Sequence, residues 1–150
     1  MARKFGEKRE ICIDPLAYNI GLIGESGIGK STVIKEVCEK LVGDDGYIAL
    51  DIGKEDGHDA INGIVSAKIP DWATFKEFCD DVIENKLTDY KDLRVIVLDT
   101  FDQLLEITEP EVIRMHNRAN PDKPKITSIK AAFGGFMAGE DKAIQLVLDK

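Results

Sequence analysis

Cysteine is scarce in this chain and never paired. Cys12, Cys38 and Cys79 stand far apart with no Cys-x-x-Cys spacing, which excludes a disulfide framework and a finger-type zinc site and leaves them as small core residues of a reducing compartment. No apolar run approaches the roughly 18 to 20 residues that a membrane helix needs, and no hydrophobic signal segment stands behind the opening MARKFGEKRE. The expectation is a soluble, cytoplasmic protein with no membrane partner. Internal repeats and low-complexity tracts are missing as well. At 150 residues the chain fits one domain, residues 1–150, whose first ten residues are expected to form a flexible tail, and is long enough to bury a real core.

What the sequence holds in excess is negative charge, a formal −8, distributed unevenly. Residues 44–110 carry seventeen acids against six bases, whereas residues 114–130 hold Arg114, Arg118, Lys123, Lys125 and Lys130 against Asp122 alone. Exposed charges are screened within roughly 8 to 10 Å, so the local balance matters more than the total. A basic segment thus lies late in an acidic chain.

Periodicity orders the elements. Asn19 to Ile23 reads as a buried strand ending at Gly24, and STVIKEVCEKLVG as a helix in which Val33, Ile34, Val37, Cys38 and Leu41 recur at helical spacing until Gly43 stops it. Tyr47 to Ile52 and Ile64 to Ile69 read as strands. Trp72, Phe75, Phe78, Cys79, Val82 and Ile83 mark one face of a helix, and Leu93 to Asp99 is the most apolar strand candidate. Phe101 to Arg114 is expected to be helical, with Pro110 interrupting it or starting a new helix. Asn117 to Lys125, with its two prolines, reads as a loop. A last helix is expected from about Gly139, and it runs to Lys150 without stopping chemistry, which suggests that the natural chain continues. Strands alternating with helices imply a parallel sheet with crossovers on both faces.

GESGIGKS, residues 24–31, matches G-x-x-x-x-G-K-[ST] through Gly24, Gly29, Lys30 and Ser31, between an expected strand and an expected helix. Glycines let main-chain amides converge on a polyphosphate while the helix presents its positive end. The expected cradle comprises Gly24, Glu25, Ser26, Gly27, Ile28, Gly29, Lys30, Ser31 and Thr32, with Lys30 reaching the outer phosphates and Ser31 holding magnesium. Glu25 fits because the binding surface is main chain, so its carboxylate can point away; the other reading turns it toward the outer phosphate. VIVLDTFDQL supplies the second signal: an apolar strand ending in Asp99, the usual place for the carboxylate that completes a magnesium site. Asp102 either helps order the metal's waters or is simply an acid at a helix start. No D-x-x-G follows Asp99, and Asn85-Lys86-Leu87-Thr88 lacks the aspartate of a guanine reader, which argues against guanine specificity.

These motifs, with LDI followed by acids, VIVLDTFDQLL and above all HNRANPDKPKITSIKAAFGGFMAGEDKAIQLVLDK, resemble the phage-encoded RecA-like nucleotide-binding proteins of the AAA type. The resemblance implies an α/β fold of P-loop NTPase type, a RecA-like three-layer sandwich with a mainly parallel sheet, here possessing only its N-terminal part. It further implies ATP and magnesium as cofactors, single-stranded DNA as a partner in recombination or annealing, a homo-oligomer and a bacterial cytoplasm. In RecA-like cores a glutamate just beyond the second core strand polarises the attacking water, a role that falls on Glu55, with Asp56 as the substitute. The catalytic expectation is therefore Lys30, Glu55 and Asp99, and the metal expectation Ser31 and Asp99. His58 lies in the same loop, where a lone histidine is more often unrelated to the site.

Several readings stay open. The basic segment offers Arg114 or Arg118 to a neighbouring subunit's nucleotide, lines a DNA backbone, or is a solvated loop. Phe133 and Phe136 either stack on unpaired bases or pack in the core. The rivals to an ATPase are a small-molecule or nucleoside kinase and a module that binds nucleotide without turnover.

Overall fold

YIALDI carries one charged side chain, Asp51, and a strand of that composition is stable only where both faces are covered. It is the centre strand β1 (Tyr47–Ile52) of a parallel three-stranded sheet with order β2-β1-β3, between β2 (Ser66–Ile69) and β3 (Val95–Asp99). The computed structural model describes residues 14–25, 27–54, 57–135 and 137–150, so the tail expected over the first ten residues lies outside the described residues. Among the described residues four α-helices accompany the sheet: α1 (Lys30–Val42), α2 (Trp72–Glu84), α3 (Phe101–Ala119) and α4 (Ala138–Leu148). An α/β fold with a small parallel sheet follows, compatible with a P-loop NTPase.

Alternation along β1 divides the layers. Leu50 and Ile52, with Ile48 packed beside them, join Ile69, Trp72, Phe75 and Leu104 in the main core under α2 and α3. Tyr47, Ala49 and Asp51 face the other way, and α1 packs on β1 and β3. A second cluster of Val112, Ile129, Ala132 and Ala143 joins α3 and α4 through a 3-10 turn, Ile129–Gly134, and Leu146 touches both clusters. Parallel pairing sets Leu50 opposite Leu98 and Asp51 opposite Asp99, so β1 and β3 end at the same edge of the sheet. That shared edge positions the site.

The expected strand at Asn19 to Ile23 does not form. Ile20, Leu22 and Ile23 are exposed, and no described residue pairs with this run. An apolar pattern licenses burial but does not supply a ladder partner; without one, the backbone groups are left to solvent. The same incompleteness shows elsewhere: Ile96 and Leu98 on β3, and Val33, Val37 and Leu41 on α1, remain exposed while Cys38 is buried. The stripe expected on α1 is thus half covered.

The helix expected to break at Pro110 runs through it. Proline removes one N–H and crowds the carbonyl four residues back. Burial on either side outweighs that cost: Leu104, Thr108 and Val112 are fully buried, and the Thr108 hydroxyl donates to Leu105 O at 2.6 Å. The following loop accordingly starts at Asn120 rather than Asn117. Asn117 stays in the helix and clasps the loop's far end, its amide donating to Ile126 O (3.0 Å) and its carbonyl accepting from Ile126 N (2.9 Å).

Cys38 is buried and Cys79 half-buried, both free, and burial pushes both thiols above the ordinary value; Cys12 lies outside the described residues. No helix among the described residues is long and apolar enough to cross a membrane.

Asp71 caps α2, its carboxylate accepting from Thr74 N at 2.8 Å and from the Thr74 hydroxyl at 3.0 Å. The backbone bond from Thr74 is the main cause holding this carboxyl below its ordinary 3.8, with the hydroxyl second. A lowered folded value means that the cap's stabilisation is complete above the unfolded value and fades as pH falls through the folded one. Urea midpoints of wild type and Asp71→Ala should therefore differ by a constant amount at neutral pH, with wild type the more stable, and converge on acidification below about 3.8. A gap that persists unchanged in strong acid would contradict this.

Candidate functional site

Where α1 begins, the chain needs backbone angles that a side chain resists. Gly29 is the N-cap at φ 95°, and Gly27 precedes it at φ 77°. The cap offers no side-chain acceptor, and the first intrahelical bond is Val33 N to Gly29 O at 3.0 Å. The first-turn amides of Lys30, Ser31 and Thr32 therefore have no acceptor within the helix and face outward at its positive end. Main chain of this kind at a helix start can hold an anion.

Lys30 folds back over this loop, its ammonium donating to Gly24 O at 2.9 Å and Glu25 O at 2.8 Å. Its charge already sits at the cradle, held by two neutral carbonyls that a phosphate would outcompete. The Glu25 main chain faces the ammonium through its carbonyl, and the residue is exposed. Ile28 is 70% exposed and Thr32 is exposed, so both border the loop without packing elsewhere in the core. Ser26 lies outside the described residues.

Sixty-eight positions later in the chain, Asp99 closes the arrangement. Ser31 Oγ donates to Asp99 Oδ2 at 2.7 Å, which brings a hydroxyl from the first turn of α1 to a carboxylate at the end of β3. Two hard oxygen donors meet in a half-buried position. That donor set suits magnesium, which takes a hydroxyl and one or two carboxylates and completes its shell with water and phosphate. The residues therefore fit the metal that a P-loop implies.

A third group reaches the same atom. His58 Nε2 lies 2.9 Å from Asp99 Oδ2, and His58 is only 4% exposed, in a 3-10 turn, Gly57–Ala60, beyond β1. Sequence reading set this histidine aside. The signal that points to it is β1's adjacency to β3, which carries the loop after β1 across Asp99; spacing along the chain does not reveal that adjacency. Before the turn, Lys54 N donates to Gln103 Oε1 on α3 at 3.4 Å, so the loop is fastened on both sides. Glu55 and Asp56 lie between these fastenings and outside the described residues.

Asp102 is an exposed acid in the first turn of α3. Arg114 is engaged locally, with Nε donating to Glu111 Oε2 at 2.8 Å and Nη2 to Oε1 at 2.6 Å. This fork holds the Glu111 carboxyl below its ordinary value and raises Arg114. Arg118, Lys123, Lys125 and Lys130 are exposed. The Phe133 ring is 40% exposed and meets the His116 ring edge-on at 5.2 Å, while Phe133 N donates to His116 Nδ1 at 3.0 Å. Core packing is therefore not its role, and Phe136 lies outside the described residues.

Comparison with known proteins agrees with this geometry. The family model described as AAA domain matches residues 16–138, a span that begins before the glycine loop and ends at the start of α4. Neither a curated protein nor a solved structure matches the chain. A family match over most of the sequence decides the question of kinship: this chain belongs to the AAA domain family, P-loop proteins that use nucleotides.

Proposed function

We propose that the protein is a magnesium-dependent ATPase of RecA-like, phage type whose nucleotide state controls binding to single-stranded DNA. The observation that carries this reading is the meeting of Ser31 and Asp99 beside Lys30, at the open end of α1. The first-turn amides and Lys30 bind the phosphates; Ser31 and Asp99 hold magnesium. A magnesium ion held there would supply charge neutralisation to the outer phosphate, and Glu55 would orient the attacking water. Ser31 can hold the metal without leaving Asp99, because its hydroxyl proton serves the carboxylate while an oxygen lone pair serves the cation.

DNA binding and a homo-oligomer in the cytoplasm belong to the same proposal. The exposed bases Arg118, Lys123, Lys125 and Lys130, gathered after α3 in an otherwise acidic chain, support contact with a phosphate backbone. The exposed ring of Phe133 supports stacking on an unpaired base. The kinase reading is weaker because Arg114, one of its two lid candidates, is tied to Glu111.

Phosphate release from ATP, measured with and without single-stranded DNA at two salt concentrations, tests the whole. Release should require magnesium and rise with DNA, and the DNA effect should fall steeply with salt. ADP formed only with a small acceptor, unaffected by DNA, selects the kinase. ATP bound with no phosphate released selects the passive module.

A further inference from the structure

Asp99 Oδ2 accepts two hydrogen bonds, and only the one from Ser31 is explained by a P-loop and its metal. The other comes from His58 Nε2 at 2.9 Å. A carboxylate is acceptor-only, so the ring must carry its proton on Nε2. Nδ1 is buried and has no hydrogen-bond partner among the described residues. A histidine kept for structure has both nitrogens satisfied as a rule. Here the ring is removed from solvent with one nitrogen bare and the other aimed at the carboxylate.

We infer that His58 is a positioning residue: it fixes the rotamer of Asp99 for the metal and ties that carboxylate to the loop following β1. The inference rests on the reading of Ser31 and Asp99 as magnesium holders. Two groups hold Asp99 Oδ2, Ser31 from the first turn of α1 and His58 from the turn beyond β1. The Ser31 hydroxyl can donate to Asp99 while its oxygen lone pair serves a cation, so its bond is shared with the metal's work. His58 adds a second hold on the carboxylate from outside the glycine loop. The same ring, in the turn Gly57–Ala60, fastens one side of the loop after β1, and the bond from Lys54 N to Gln103 Oε1 fastens the other. Partners that orient a metal's ligands are commonly worth ten- to a hundredfold in metal affinity.

The test measures equilibrium binding of a fluorescent ATP analogue in magnesium and in EDTA, with melting temperature as a check on folding. His58→Ala should weaken binding in magnesium by roughly tenfold and leave binding in EDTA unchanged. His58→Gln, whose amide nitrogen reaches as far as Nε2, should recover most of the loss. His58→Asn, which reaches only as far as Nδ1, should not, and this pair decides the matter even if the alanine variant fails to fold. Equal binding by wild type and the glutamine and asparagine variants overturns the inference alone. So does a loss of equal size in EDTA, which would mark a structural role, or a loss in manganese much larger than in magnesium, which would make His58 a metal ligand. Wild type that binds in neither buffer overturns the nucleotide reading and this inference with it.

Discussion

Lys30→Ala is expected to weaken ATP binding by roughly ten- to a hundredfold while leaving the fold intact. A charge-assisted hydrogen bond is worth about 1.5 to 3 kcal/mol, and about 1.4 kcal/mol is a factor of ten in affinity. Lys30 brings the ammonium of the loop, and in the free protein its bonds go to Gly24 O and Glu25 O, neutral acceptors in an exposed segment that solvent can satisfy. The loss should therefore show in binding and not in melting temperature. Lys40→Ala, near the other end of α1, is the matched control and should leave affinity unchanged. Unchanged affinity in the Lys30 variant would remove the assignment of this loop as the phosphate site.

Gly139→Ala is expected to destabilise the protein although the position is helical. Propensity alone favours alanine over glycine inside a helix by about 1 kcal/mol. Packing opposes it: a Cβ on Gly139 would lie 2.2 Å from Ile129 O and 2.8 Å from Ile129 Cγ1, and the first of these is main chain that cannot swing aside. Forcing an extra carbon into a filled site costs about 1 to 3 kcal/mol, and more where backbone must move. The expected net loss is about 2 kcal/mol, or a fall of roughly 4 to 8 °C in melting temperature for a domain of this size. A rise in melting temperature would show that α4 does not press on the turn at Ile129. Nucleotide affinity should not follow the loss, because Gly139 belongs with the cluster of Val112, Ile129, Ala132 and Ala143 and not with Lys30.

The elements with a complete local signal were legible in the sequence. YIALDI, the capped helix after Asp71 and the apolar run into Asp99 each carry their own pattern and boundaries, and each lies within two residues of its expected place. Asn19 to Ile23 carries the pattern but depends on a neighbour, and pairing is a property of two segments, not one. Pro110 failed as a helix breaker for a similar reason: its cost is local, while the burial of Leu104, Thr108 and Val112 that offsets it is tertiary. Within the candidate site, the two motifs whose ends meet at Ser31 and Asp99 were readable, because phosphate and metal chemistry dictate their residue types and order. His58 was not, since its contact depends on β1 lying beside β3 with their ends in register.

Backbone amide shifts of the uniformly labelled protein, followed as ATP and magnesium are added, test the central claim most directly. If the start of α1 is a phosphate cradle, the amides of Gly27, Gly29, Lys30 and Ser31 move together and saturate with a single affinity, and Asp99 shifts with them only when magnesium is present. If ATP saturates the protein while those amides stay still and others move, the nucleotide binds elsewhere and the account is wrong.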